Sequence, residues 1–252
     1  MDLQQLKVNY LLQLADTNLI LSHRLAEWCG VAPELEIDMA WANIGLDLLG
    51  EARNCYQYAG QLEGLNKTED DYAYLREERE YKNLLIAERP NEGFDVSLVR
   101  QFLYDHFHNL LLQSLSTSAD EQLAAIAKKS LKEASYHLRY TSGWLERLGD
   151  GTELSNSKVQ TALNDLWRYS DEMFVPSAEE KALAELGIIV DVSQLKQQWL
   201  DNVQADLTKS KLSLPETKYA QLGGKVGQHS EHLGFILAEL QYMQRTYPNQ
   251  QW

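Results

Sequence analysis

The chain has 252 residues, 44% of them hydrophobic, and a formal net charge of −14 at pH 7. A chain of this length and composition can form a large core without disulfides or a structural metal. Its acidity argues against nucleic-acid binding, which requires a basic face. The two cysteines, Cys29 and Cys55, have no metal-binding or redox spacing, and neither a signal peptide nor an apolar run of about 20 residues is visible. We therefore expect a cytoplasmic protein that binds neither nucleic acid nor membrane.

The first half of the chain is predicted to form two long helices and an insertion. Apolar residues recur at intervals of three and four between Leu6 and Trp28, as in a helix that is buried over much of its surface. Pro33 begins a second helix that runs to about Gly60. Residues 60–93 are charged and broken by glycine and proline, and we expect Thr68 to cap a short helix within this insertion.

The rest of the chain is also predicted to be helical. The expected elements are a helix from Phe94 to about Thr117, a second from a Ser118–Glu121 capping box to Gly149, a third from about Ser155 to Phe174, a short helix from a Ser177–Glu180 capping box to Gly187, one from Ser193 to about Leu207, and a last one from near Gln228 to Tyr247. No strand pairs are visible, so we predict an all-α fold. We expect one domain, 1–252, with a core bundle over about 4–149 and extra helices over about 155–247.

Four acidic residues occupy positions that suit the metal ligands of a four-helix di-iron protein: Asp16, Asp47, Asp105 and Glu133. Such a bundle uses a carboxylate on each of two helices and Glu-x-x-His on each of the other two. Here Gly50 and Tyr136 stand in the two histidine places; glycine has no side chain, and a phenol replaces a neutral imidazole poorly. The pattern predicts vestigial ligand positions and no metal, although chance spacing among 37 acids is the alternative.

Asp16 and Asp105 lie among apolar residues at one-turn distances, which predicts that both carboxylates are buried. Carboxylates that converge in a poor dielectric cannot all stay ionised without a partner. The candidates on the same helical faces are Lys129, His23 and His137. We expect a hydrogen-bonded polar core in place of iron.

Other motifs indicate binding more weakly. Arg76, Arg79, Lys82 and Arg89 could contact a phosphate-bearing ligand such as CoA, but interleaved glutamates make surface salt bridges an equally good interpretation. His229 and His232 are one helical turn apart, yet they lack the third ligand of a zinc site. The glycines of 223–227 could cradle an anion, although a flexible turn is the better interpretation.

Several long runs resemble one family closely. They are LSHRLAEWCG (21–30), APELEID (32–38), ANIGLDLLG (42–50), YHLRY (136–140), GWLERLG (143–149), EHLG (231–234) and QQW (250–252). Together they are similar to the C subunits of bacterial phenylacetyl-CoA epoxidases, over essentially the whole chain.

This resemblance implies a ferritin-like subunit of a multicomponent oxygenase in aerobic phenylacetate breakdown. In that family the di-iron centre that epoxidises the ring belongs to the homologous A subunit. The C subunit is non-catalytic and pairs with A, while a reductase and a small B subunit complete the system. The resemblance makes the four acids inherited ligand positions and implies no cofactor in this chain. The alternatives are an active di-iron oxygenase with unusual ligands such as His23, His106 or His137, and an acyl-CoA-binding module.

Overall fold

The structure is a computed structural model and describes residues 2–216, 219–248 and 250. Within these residues every regular element is helical and no strand occurs, which confirms the all-α prediction. None of the described helices combines the length and apolarity that crossing a membrane requires. The described α-helices are α1 (Leu3–Ala26), α2 (Leu35–Glu63), α3 (Glu69–Tyr74), α4 (Phe94–Leu115), α5 (Glu121–Gly149), α6 (Glu153–Leu166), α7 (Ala178–Glu185), α8 (Lys196–Lys209), α9 (Glu231–Leu240) and α10 (Tyr242–Thr246).

Local capping signals position most helix ends. Asp2 caps α1, since its carboxylate accepts a hydrogen bond from the Gln5 N–H at 2.8 Å. Thr68 and Asp71 form a capping box at the start of α3, and Ser177 forms one at the start of α7, as predicted. Gly187 has φ +70°, which lets the chain turn after α7.

The predicted capping box at Ser118–Glu121 is wrong. Asp120 is the N-cap of α5, and its carboxylate accepts a hydrogen bond from the Leu123 N–H at 3.0 Å. The Ser118 hydroxyl instead donates to the Ile188 carbonyl at 2.6 Å. The Ser118 oxygen also accepts a hydrogen bond from the Asp120 backbone N–H at 3.0 Å, two residues on and not at the third helical position that a capping box requires.

Two of the predicted C-terminal helices are shorter or divided. The helix expected to reach Phe174 ends at Leu166, and 3₁₀ turns follow at Trp167–Tyr169 and Asp171–Phe174. The last helix begins at Glu231 and is interrupted at Gln241. This residue lies between the end of α9 at Leu240 and the start of α10 at Tyr242. Gln241 is buried, and its amide donates to the Tyr81 hydroxyl at 3.0 Å.

The chain forms two compact units. The first unit contains the described residues of 1–31, 35–89 and 223–252, and the second contains 32–34 and the described residues of 90–222. Helices α9 and α10 thus belong with α1, α2 and α3, whereas α6, α7 and α8 belong with α4 and α5. The single domain expected from the sequence stays a prediction.

Each unit has its own apolar core. In the first unit, α1 and α2 pack along their length around the fully buried Ile20, Trp41 and Ile44. In the second, α4 packs against α5, α6 and α8, with Phe102 and Trp199 buried among them. The Trp199 indole donates to the Leu103 carbonyl at 3.1 Å, so this ring has both its apolar body and its polar N–H satisfied.

Candidate functional site

Asp16 lies on α1 and is completely buried, as predicted. The Tyr56 hydroxyl donates to its Oδ1 at 2.6 Å, and the Lys82 backbone N–H donates to Oδ2 at 2.8 Å. The Arg76 guanidinium also donates to both oxygens, from Nη1 to Oδ2 at 3.1 Å and from Nη2 to Oδ1. Both oxygens of this carboxylate are therefore occupied by donors from the protein itself.

Arg76 supplies the positive charge that balances Asp16. Its side chain is only 11% exposed, and its guanidinium carbon lies 4.2 Å from the centre of the Tyr81 ring. Burial lowers the pKa of Arg76 and the Asp16 carboxylate raises it, with a net shift upward that keeps the guanidinium charged. Burial and the Asp16 charge likewise raise the pKa of Tyr56, so its phenol keeps the proton that it donates.

The expectation that His23 balances Asp16 is wrong. Burial lowers the pKa of His23, and the charge that opposes this shift comes from Glu239. This role of Arg76 is not visible in the sequence, because Arg76 lies in the insertion, 60 residues after Asp16. No pattern along the helix connects the two residues.

Asp47 and Gly50 do not face the buried polar groups of α1. Asp47 is partly exposed, and a Cβ added at Gly50 would meet nothing within 4 Å. The carboxylate of α2 that reaches α1 belongs to Glu51, which is buried and accepts a hydrogen bond from the Asn18 amide at 2.9 Å. Periodicity could have found Glu51, because it continues the buried face of α2 at intervals of three and four from Ile44.

In the second unit Asp105 is also buried, as predicted. The Gln101 amide donates to Oδ1 at 2.7 Å, and the Thr141 hydroxyl donates to Oδ2 at 2.9 Å. Burial raises the pKa of Asp105, and the charge of His137, these two hydrogen bonds and the charge of His108 act against that rise. His137, a candidate partner of the acids because it follows Glu133 by four residues, is thus a neighbour of Asp105.

The remaining predicted positions of the second unit are more open. Glu133 is partly exposed, and the Tyr136 side chain is exposed with its ring centre 6.4 Å from that of Tyr140. Lys129 is exposed, so the expectation that it lies beside a buried carboxylate is wrong. Of the four acids, Asp16 and Asp105 are buried, and Asp47 and Glu133 are not.

These residues do not fit a di-iron centre. Among the described residues no group of three or more His, Cys, Asp or Glu side chains could hold a metal ion. Asp16 has its lone pairs occupied by Tyr56, Arg76 and Lys82, and a metal would have to displace a buried guanidinium. On α2 the buried carboxylate is Glu51, and the residue three positions later, where Glu-x-x-His would place the histidine, is Asn54.

A family model described as phenylacetic acid catabolic protein matches residues 2–252. The chain belongs to this family. A curated relative, the C subunit of 1,2-phenylacetyl-CoA epoxidase from Escherichia coli (strain K12), is 51% identical over 243 residues, which cover 96% of this chain and 98% of the relative. The family predicted from the sequence runs is confirmed, and the all-α architecture agrees with the ferritin-like class expected for it. The run at 250–252 lies mostly outside the described residues.

In this member of the phenylacetic acid catabolic protein family, a second buried cluster surrounds Glu88. His229 Nδ1 lies 2.6 Å from Glu88 Oε1, and Nε2 lies 2.8 Å from the Tyr81 carbonyl oxygen. Because both ring nitrogens face acceptors, the geometry favours a ring that is protonated on both nitrogens. Burial lowers the pKa of His229, while Glu88 and the Tyr81 carbonyl raise it by more. His229 is therefore a structural residue of this cluster, bonded within the protein through both ring nitrogens.

The glycines of 223–227 allow close backbone approach. A Cβ at Gly224 would meet the Asn83 carbonyl oxygen at 2.1 Å, and one at Gly227, where φ is +77°, would meet the Arg79 carbonyl oxygen at 2.3 Å. These contacts join the C-terminal segment to the insertion, so the glycines serve packing, which is neither of the two roles weighed from the sequence.

The basic residues of the insertion differ in availability. Arg79 is exposed, and Lys82 and Arg89 are partly exposed, while the Arg76 guanidinium is committed to Asp16. CoA contact by Arg79, Lys82 and Arg89 stays a prediction. Arg76 differs from them because its guanidinium is buried and bonded to Asp16.

Proposed function

We propose that this chain is the non-catalytic, structural C subunit of a phenylacetyl-CoA epoxidase, and that it binds and stabilises the catalytic A subunit. The membership in the phenylacetic acid catabolic protein family and the 51% identity to the C subunit of an epoxidase support the assembly. A reductase and the small B subunit complete the proposed system, whose aerobic reaction consumes phenylacetyl-CoA. The expected cytoplasmic location stays part of this proposal.

The observation that carries the non-catalytic role is the state of Asp16. A carboxylate that binds iron must offer a free lone pair to the metal, and the positive charge of the metal then offsets the cost of burial. In this chain Arg76 offsets that cost, and the donors from Tyr56 and Lys82 complete the hydrogen bonding. Asp16 therefore needs no metal, and the protein keeps the buried acid as part of a rigid polar core.

In this proposal the chain contributes shape and order to the assembly. Obligate interfaces bury several thousand square ångströms, and we expect the helices of this chain to supply such a surface. Binding to the A subunit would hold the helices of that partner in place around its own di-iron site, because a ligand set keeps its geometry only when the surrounding packing does not move.

Reconstitution tests this function. The A subunit is purified alone and with this chain, together with B and the reductase, and epoxidation of phenylacetyl-CoA is measured along with the mass of the complex and the iron in each chain. We expect the A subunit and this chain to form a stable complex and epoxidation to require that complex. We also expect the iron to be bound by the A subunit. Full activity without this chain would overturn the structural role. A full di-iron complement with an oxo-bridge absorption band in the isolated chain would instead favour the active-oxygenase alternative.

The acyl-CoA-binding alternative has its own measurement. Calorimetry of the isolated chain with CoA should give no binding heat if the chain is structural. Binding that is lost in Arg79→Ala, an exposed site, but kept in Arg168→Ala, a basic residue outside the insertion, would support the alternative.

A further inference from the structure

Helix α2 carries an apolar stripe on its exposed face. Leu35, Met39 and Leu46 are each more than half exposed, Leu49 is also exposed, and Ala42 is partly exposed. These five residues, the α2 stripe, follow one another at intervals of four and three, so they lie on one side of the helix over about 21 Å. A helix face in water is normally polar, and a contiguous apolar face of this length marks an interaction site.

A groove runs beside the stripe, between the end of α1 and α2. Its walls are almost wholly apolar, and its volume is about 260 Å³. The lining residues are Ser22, His23, Ala26, Cys29, Ala42, Gly45, Leu46 and Leu49. Cofactor and drug-sized sites usually measure about 300–1,000 Å³ and present a few polar groups, so this groove is suited to one large apolar side chain of a protein partner.

The charges that flank the stripe along its length are acidic, and the basic Arg53 follows its last residue, Leu49, by four positions. Glu36, Asp38 and Asp47 flank it, and α2 contains no Lys or Arg between Leu35 and Ala52. A second copy of the chain would bring the same acidic flanks, and the two chains would each carry a net charge of −14. A partner whose apolar face is flanked by Lys and Arg would instead meet complementary charge.

We propose that the α2 stripe binds an amphipathic helix of the catalytic subunit, whose apolar face is flanked by basic residues and whose central large side chain enters the groove. The inference rests on the proposed function, because that function supplies a helical partner that binds permanently. Obligate interfaces are more apolar than transient ones, and a stripe of five apolar residues over four helical turns has that character. The basic residues of the partner helix would pair with the acidic flanks of the α2 stripe, which fixes how the two helices align and raises the association rate.

Substitution at the centre of the stripe tests the proposal. Leu46 is 65% exposed, so Leu46→Gln should leave the fold intact, and Leu154→Gln, at 67% exposure in α6, is the matched control. We expect Leu46→Gln to weaken the affinity for the catalytic subunit, as at an interface hot spot, by about 30-fold or more, and Leu154→Gln to change it less than about threefold. Circular dichroism and the melting temperature of each free variant confirm that the fold is unchanged.

Cys29 provides a second readout that needs no substitution. It is exposed and lines the groove, whereas Cys55 is buried, so a maleimide should label one cysteine of the folded chain. Assembly with the catalytic subunit should slow the labelling of Cys29 at least tenfold. Glu36→Lys, on the acidic flank, should lower the association rate and weaken its dependence on salt.

The outcomes separate this inference from the proposed function. If the wild-type chain binds the catalytic subunit, but Leu46→Gln binds equally well and Cys29 stays reactive in the complex, the docking surface is wrong while the proposed function stands. If the wild-type chain does not bind the catalytic subunit, the proposed function fails and the inference fails with it. A homodimer of the isolated chain that Leu46→Gln dissociates would assign the stripe to a second copy and overturn the proposal.

Discussion

Replacing Arg76 with methionine tests whether this guanidinium balances the buried Asp16. The variant keeps most of the apolar stem but leaves the carboxylate with only the Tyr56 and Lys82 donors, and it removes the bonds from Arg76 to the Tyr72 and Glu80 carbonyl oxygens. Removing one partner of a buried ion pair costs about 3–5 kcal/mol. For a chain of this size that corresponds to a fall in Tm of about 6–20 °C.

The matched control is Arg53→Met. Arg53 pairs with Glu69 at 2.8 Å, but its side chain is 63% exposed, and exposed pairs contribute only about 0–1 kcal/mol. Unfolding in urea, followed by tryptophan fluorescence and by circular dichroism, measures both variants. The two substitutions remove the same charge, so the difference between them reports the effect of burial.

A double-mutant cycle completes the test. Asp16→Asn alone leaves Arg76 buried without its counter-charge, whereas Asp16→Asn with Arg76→Met removes both charges. The double variant should therefore be more stable than the sum of the single effects predicts, by roughly 1–3 kcal/mol. Additive effects, or an Arg76→Met variant within about 1 kcal/mol of Arg53→Met, would refute the view that Arg76 replaces the charge of a metal.

Two further substitutions test the cluster of the first unit and the packing of the second. The pKa of His229 is raised in the folded chain, so its bond to Glu88 stabilises the fold fully below about pH 6.5, and this contribution is lost as pH rises through the folded pKa. The difference in Tm between wild type and His229→Gln should thus shrink from about pH 6 to about pH 9, and a difference that stays constant would argue against an imidazolium. Gly149→Ala puts a Cβ 2.2 Å from the Ser210 carbonyl oxygen and should lower the free energy of unfolding by about 1–3 kcal/mol. Gly143→Ala, in the same helix with nothing within 4 Å, should be neutral or stabilising by up to about 1 kcal/mol, and equal effects in chemical denaturation would contradict a steric cause.

The sequence predicted the helices well where local chemistry decides them. Apolar spacing located α1, α2, α4 and α5 to within a few residues, and the boxes at Thr68 and Ser177 cap the helices that they were expected to cap. The capping box predicted at Ser118 was wrong, because Asp120 caps α5 and the Ser118 oxygen accepts from the Asp120 N–H. The break at Gln241, a residue whose buried amide bonds to the insertion, was not visible in the sequence either.

The candidate site was predicted in part. Periodicity correctly indicated that Asp16 and Asp105 are buried, and His137, one of three candidates for balancing the acids as a group, lies beside Asp105. Glu51 was not predicted, although the apolar spacing of α2 places it on the buried face. The spacing of di-iron ligands pointed to Asp47 instead. Arg76 was weighed as a phosphate contact and as part of a surface salt bridge, because its sequence neighbours give no sign of the buried Asp16, 60 residues earlier.

The sequence by itself determined the helical class, the family, the apolar faces and the lack of histidine at positions 50 and 136. These properties depend on residue type and on spacing within one or two helical turns. Only the tertiary structure decided that Arg76 balances Asp16, that His229 is held by Glu88 and that the α2 stripe remains exposed. A buried charge needs a partner, and that partner can be distant in the sequence. Long-range packing decides which group lies next to the charge, and local sequence patterns contain no information about it.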